Sequence, residues 1–193
     1  MTIADGYHAL PPGKVASVVT YVQMTGRPAW IDAAYPGQLT PMPLNDLSAY
    51  RELFRRVGEN WLWFSRLRLD DEKLRERLAG RGYHVLLFDA GRGFVELDRN
   101  GEDEVEISLF GLAPGETGQG MGRAMMAHAL REAWSGGTRR VWLHTCTLDD
   151  PRALGFYLKM GFRPYARGIE ISNDPRLQGL LPETAAPQVP LIR

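Results

Sequence analysis

Apolar positions along the chain fall into two kinds of pattern, short β-type runs and stretches that repeat at helical spacing. Residues 15–24, rich in Val, Thr and Tyr, read as a strand. Residues 27–43 hold four prolines and several small residues and read as loop. Asn45 or Asp46 can cap a helix in which Leu47, Tyr50, Leu53, Phe54 and Val57 recur on one face, with Gly58 suited to its end. The aromatic cluster Trp61, Trp63 and Phe64 follows, and Asp70 can cap a second helix carrying Leu74 and Leu78, with Gly80 just past it. Three strands are predicted in succession, at 83–88, 93–97 and 104–112, parted by turns at 89–91 and at Asn100-Gly101, a hairpin signal. Glycine-rich residues 118–122 run into a helix reaching about Trp134, which Gly136-Gly137 ends. Then come a strand at 140–145, a short helix at 151–160 opened by Pro151 and broken by Gly161, and a strand at 162–171.

This order, with three hairpin-type strands followed by alternating elements, implies an α/β (α+β mixed) fold with a mixed sheet flanked by helices. The length of 193 residues suits one domain, taken as residues 1–172, with residues 173–193 as a tail holding four prolines, either packed or loose. A core of ordinary size needs no disulfide or metal at this length, and the single cysteine, Cys146, permits no intramolecular disulfide. Lys plus Arg equals Asp plus Glu, 23 against 23, which argues against broad electrostatic capture of nucleic acid or an anionic membrane. The first ten residues include Asp5 and no long apolar run, so they read as neither signal peptide nor anchor. No stretch approaches the length that spans a bilayer, and a reducing cytoplasm is the expected location.

The motif with most chemical content is Thr117-Gly118-Gln119-Gly120-Met121-Gly122-Arg123-Ala124, placed between a strand and a helix. A helix start exposes unpaired N–H groups and the positive end of the dipole. Glycines let that backbone approach a pyrophosphate without a Cβ clash. A P-loop would need Gly-Lys followed by Ser or Thr, which is missing here. A dinucleotide fingerprint would need a small residue where Arg123 stands. The competing interpretation is a loop that merely turns the chain.

Gln119 to Ala124 resembles the CoA-binding signature of the GNAT superfamily of N-acetyltransferases, with Gly120 and Gly122 at its glycine positions. Thr117 departs from the Arg or Gln usual at the first position, leaving the backbone cradle intact. Ala153-Leu154-Gly155-Phe156-Tyr157 with Gly161-Phe162 resembles the second signature, on the last helix, and Asp150 stands where many members have Asn. The resemblance is good over about residues 103–165. It implies a mostly antiparallel sheet splayed between its fourth and fifth strands, here 104–112 and 140–145, with the pantetheine arm of acetyl-CoA in the opening. Backbone groups of Phe110 and Leu112 would then hold pantetheine. The N–H groups of Gln119 to Arg123 would hold the pyrophosphate, and Asp150 could accept a bond from a pantetheine amide. The implied partners are a CoA thioester and an amine acceptor, with a homodimer left open.

Acetyl transfer to an amine needs a base for the ammonium proton, donors for the carbonyl oxygen and an acid for the departing thiolate. Tyr157 is the candidate acid, at a position where the family commonly carries a tyrosine near the sulfur; the alternative is a packed tyrosine. Glu106 is the candidate base, projecting opposite to Val105 and Ile107, where the histone-acetylating branch carries a glutamate; the alternative is an exposed strand charge. His144 could relay a proton or be structural. His128 shares a helix face with Arg131 and Glu132 and is expected in solvent. Cys146 reads as a small core residue. Trp61 and Trp63 lie on the loop that borders the acceptor in this fold, either walling the acceptor site or filling the core. The histidines and cysteine show no metal-ligand spacing, so no metal is expected. A rival from another class is a CoA-binding sensor or structural module without catalysis, and Thr117 and Asp150 are the departures that favour it. A nucleotide-binding protein is disfavoured by the absent lysine.

Overall fold

The computed structural model describes residues 4–99, 101 and 103–193. Seven strands form one sheet in the order β2-β3-β4-β5-β6-β1-β7. The strands are β1 (Lys14–Met24), β2 (Leu39–Pro41), β3 (Tyr83–Phe88), β4 (Gly93–Asp98), β5 (Glu104–Leu112), β6 (Arg140–Cys146) and β7 (Arg163–Asn173). The helices are α1 (Leu47–Gly58), α2 (Asp71–Leu78), α3 (Met121–Ala133) and α4 (Ala153–Lys159). Asp46 caps α1 by accepting from the N–H groups of Ser48 and Ala49, and Asp70 caps α2 by accepting from Lys73. Asn100 of the expected β4–β5 turn lies outside the described residues.

β2 is a correction to the loop expected over 27–43. Its three residues pair with Leu86 to Phe88 at the sheet edge, where prolines are tolerated because one face of the ladder is unpaired. The rest of that segment crosses α3. Arg131 donates to the carbonyls of Ile31 and Ala33, and His128 bonds the Pro36 carbonyl at 3.2 Å while its ring lies 6.2 Å from Phe88. His128 is therefore packed under this segment rather than free in solvent.

β3, β4 and β5 form the antiparallel meander that the turn signals implied. β1 lies between β6 and β7, antiparallel to both, at the far side of the sheet from the strand pair that follows α2. Two apolar layers cover the sheet. One, around Met125, Met126, Leu130, Val141, Leu143 and Phe162, is covered by α3 and α4. The other, around Tyr50, Phe54, Leu74 and Phe94, is covered by α1 and α2 and also holds Leu181, Ala185 and Ala186. Residues 174–193 are thus packed on the sheet, and the buried pair Asp174–Arg176 fixes them. Arg176 donates to Asp174 and to the carbonyls of Ala185 and Val189. Among the described residues, no helix is long and apolar enough to cross a membrane.

β5 and β6 pair in parallel only from Glu104↔Arg140 to Glu106↔Trp142. Beyond that point the strands part. The β4–β5 register jumps there, with Leu97 opposite Ile107 but Glu96 opposite Leu109, so Ser108 is the extra residue of a bulge. A bulge bends its strand and strengthens the twist, which accounts for β5 leaving β6 where it does.

Candidate active site

The split opens a cavity of about 810 Å³. Every candidate site residue named from the sequence lines it except Met121, whose side chain is buried in the α3 layer. Ala113 donates its N–H to the Arg92 carbonyl on the β4 side. Backbone groups alternate along a strand, so Gly111 also faces β4, while Phe110 and Leu112 direct theirs to the parted edge. An extended ligand there finds donors and acceptors that β6 no longer takes.

At the end of β5 the chain turns through Gly118, Gln119 and Gly120, all at positive φ (98°, 49° and 78°). A Cβ on Gly118 or Gly120 would meet nothing within 4 Å, so the space before the helix is open. Gly120 caps α3 without a side chain, leaving first-turn N–H groups directed into this space. The N–H of Met121 is an exception, since it donates to the Gly118 carbonyl at 3.1 Å. Thus neither the side chain nor the N–H of Met121 is available to a ligand, contrary to the sequence expectation. Arg123 is held beside the cradle, its guanidinium 4.9 Å from the Trp30 ring and its Nε donating to the Tyr35 hydroxyl at 3.1 Å.

Asp150, at the mouth of the cavity, already has a partner. Its carboxylate accepts from the N–H and the guanidinium of Arg152, which hold it below the usual carboxylate range. Oδ2 takes one of those bonds and keeps a lone pair for a further donor.

Glu106 and His144 come together across the closed end of the split, with Nδ1 and Oε1 3.8 Å apart. Burial raises the Glu106 carboxyl above its ordinary value; His144 opposes this, and Asp98, its cross-strand neighbour, adds to it. His144 is 43% exposed at the side chain and so reaches solvent, while Glu106 is 21% exposed. Tyr157 projects from α4 into the other side of the cavity, 8% exposed, with its ring edge-on to Phe110 and Phe162. Among the described residues no hydrogen bond ties its hydroxyl. Burial, and then the charge of Asp149, push the phenol well above its usual pKa. It keeps its proton throughout the neutral range and is a weaker acid than a phenol in water.

The family profile described as "Acetyltransferase (GNAT) family" matches residues 48–162, from α1 through α4 and so across the whole split. The chain belongs to the acetyltransferase (GNAT) family. An uncharacterized N-acetyltransferase of Mycobacterium tuberculosis is 38% identical over 87 residues, which is 42% of this chain and 55% of that protein. The chain therefore spans about half the length of the curated relative it matches. The ribosomal-protein-S18-alanine N-acetyltransferase of Escherichia coli superposes with a TM-score of 0.54 at 17% identity, over 72% of this chain and 94% of that one. A GCN5-related N-acetyltransferase from Sphaerobacter thermophilus gives 0.51 at 15% identity, over 81% and 51%. At such identities the two structures bear on the fold alone.

Behind the cavity this GNAT chain has a buried polar network that sequence reasoning missed, and its members Arg66 and Ser108 reach the lining. Glu96, in the middle of β4, is fully buried and is held by the hydroxyls of Tyr50 and Tyr83 and by Arg66 at 2.9 Å. Burial, then the Glu96 charge, push Tyr83 up to about 12. Ser108, the bulge residue, lies 3.2 Å from the Tyr83 hydroxyl. The network ties the loop after α1 to β4 and to the bulge. Its one sequence signal was a carboxylate inside the apolar run Phe94-Val95-Glu96-Leu97. Asp149 was also missed; it accepts from the Trp63 indole at 3.0 Å, the Thr145 hydroxyl at 2.7 Å and the Cys146 N–H at 2.8 Å. Cys146 lines the cavity, and burial raises its thiol. Among the described residues no group of three or more His, Cys, Asp or Glu could hold a metal ion.

Proposed function

We propose that this chain transfers the acetyl group of acetyl-CoA to a primary amine of a small molecule or peptide by direct attack. The observation that carries this reading is that Glu106, His144, Tyr157 and the glycine cradle all line one cavity at the split in the sheet. The residues present fit a CoA thioester. The N–H groups of Gly122 and Arg123 and the open glycines before them suit a pyrophosphate, and the parted edge at Phe110 and Leu112 suits pantetheine. Bound there, acetyl-CoA supplies the activated acyl carbon.

The chain's own groups then manage protons. Glu106, raised by burial, is a better match for an ammonium proton than an exposed glutamate. His144, 3.8 Å away and exposed, can pass that proton to solvent. Tyr157 donates a hydrogen bond to the leaving sulfur that strengthens as negative charge builds there, easing its departure as a thiolate that takes its proton from solvent. The acceptor enters from the face under the loop after α1, where Trp61, Arg68, Glu106 and Ser108 line the cavity.

The deciding experiment is acetylation of a panel of amines, amino acids and peptides, read by mass spectrometry. An acetylated amine with stoichiometric CoA release is the expected result. A chain that binds CoA tightly and acetylates no member would instead be the non-catalytic sensor.

A further inference from the structure

We infer that Trp63 and Asp149 form a bridge across the open end of the split, and that this bridge positions the CoA arm rather than gripping the acceptor. The inference rests on the acetyl-transfer reading only in taking the arm to be that of CoA.

Trp63 occupies a built seat. The chain leaves α1 through Leu62 at φ 53°, which folds Trp63 back so that its N–H reaches the Gly58 carbonyl at 3.0 Å. A Cβ on Gly58 would lie 2.4 Å from the Trp63 Cβ, and one on Gly111 would lie 3.0 Å from Trp63 Cη2. Two glycines, on α1 and on β5, therefore make room for one indole. The ring is 5.9 Å from Phe54 and 6.4 Å from Phe94, edge-on to the latter. Its Nε1–H leaves this apolar layer and donates to Asp149 Oδ1.

Asp149 belongs to the other side of the split. Its Oδ2 accepts from Thr145 and from the N–H of Cys146, the last residue of β6. The bridge thus runs from β5 at Gly111 to the end of β6, between strands that parted after Glu106 and Trp142. Backbone hydrogen bonds no longer set the separation there, so side chains must. The slot they span is the one beside Phe110 and Leu112.

Trp63 reaches the cavity lining, but a tryptophan that gripped the acceptor by hydrogen bonding would need a free N–H. The Trp63 N–H is spent on Asp149, and Phe54, Phe94 and Gly111 pack against its ring. Trp61 lines the same cavity and, among the described residues, has no ring partner, so the acceptor wall falls to Trp61.

The test is a double-mutant cycle on CoA affinity. Trp63→Phe removes the indole N–H; Asp149→Asn keeps the shape but replaces one acceptor oxygen by a donor. CoA is titrated into the wild type, both single variants and the double variant by calorimetry, and KM for acetyl-CoA and for the amine are measured separately. Each single variant is expected to weaken CoA about tenfold, the scale of one charge-assisted hydrogen bond. The double variant is expected to be no weaker than the weaker single variant, because both remove the same link. The amine KM should not move. Losses that multiply in the double variant overturn the bridge, as does unchanged CoA affinity with a raised amine KM, which would return Trp63 to the acceptor wall. Thr145→Val, which removes one bond to Asp149 and leaves Trp63 intact, covers the case of a misfolded variant. It should weaken CoA by a few-fold, and wild-type affinity there counts against the bridge. The affinity cycle is independent of turnover, so a wild type that binds CoA but acetylates nothing removes the acetyl-transfer reading alone. A wild type that does not bind CoA removes both.

Discussion

On the α3 side of the split the proposed CoA-binding surface is backbone, made of glycines at positive φ and the first-turn N–H groups of one helix. On the α1 side it is side chain: Trp61 on the loop after α1, Arg66 neutralised by buried Glu96, and Glu106 facing His144. The first surface is local, since about six consecutive residues build it. The second draws on α1, the loop after it, β4, β5 and β6 at once. A diphosphate is the same in every CoA ester, so one short segment can be shaped for it. An acceptor is particular to its enzyme, and scattered side chains allow it to vary while the cradle stays constant.

The variant that breaks the local surface most completely is Gly120→Trp. The side chain is strained at φ 78° and fills the open space before α3. Losing two charge-assisted hydrogen bonds, at roughly 1.5–3 kcal/mol each, should cost CoA affinity about 10²- to 10⁴-fold. Calorimetry with circular dichroism to confirm the fold decides it, and a folded variant with wild-type affinity would remove this cradle.

Glu96→Ala strikes the distributed surface in the same way. It leaves Arg66 charged and only 11% exposed without its partner. Breaking such a pair costs about 3–5 kcal/mol of stability, measurable by denaturant titration. If the two surfaces are as separate as they look, the folded fraction should still bind CoA, with the amine KM raised.

Tyr157→Phe keeps the ring packing and removes the hydroxyl. Its raised pKa places the expected loss in turnover near the low end of the general acid–base range, about 10²-fold, with CoA affinity unchanged. Wild-type turnover would return Tyr157 to a packing role.

Glu106→Gln is the mildest, and it depends on pH. The defect should be largest, about tenfold or more, between the raised Glu106 pKa and that of the amine, where the base is charged and the acceptor still ammonium. It should shrink at higher pH as free amine accumulates. Stability should move the other way. A carboxyl raised on folding contributes stability below its unfolded pKa that is lost as pH rises through the folded one. Glutamine has no such loss, so the melting temperature at neutral pH should not fall. A flat, wild-type-like pH profile of kcat would take Glu106 out of the mechanism.

Sequence alone carried whatever depends on neighbours along the chain. A cap for α1 at Asn45 or Asp46, the cap of α2 at Asp70, the three strands of the meander and the glycine-rich turn before α3 were readable, because capping, alternation and positive φ are properties of a few adjacent residues; the fold chose Asp46. Tertiary structure decided what depends on distant ones. β2 has too few residues for a period, and only its partner β3 makes it a strand. The place of β1 between β6 and β7 follows from pairings more than a hundred residues apart. Glu96 stands in an apolar run with no local partner, and only Tyr50, Tyr83 and Arg66 give it a place, as Trp63 does for Asp149. A buried charge is tolerable only with its partners in place, and those partners come from separate elements that only the fold brings together.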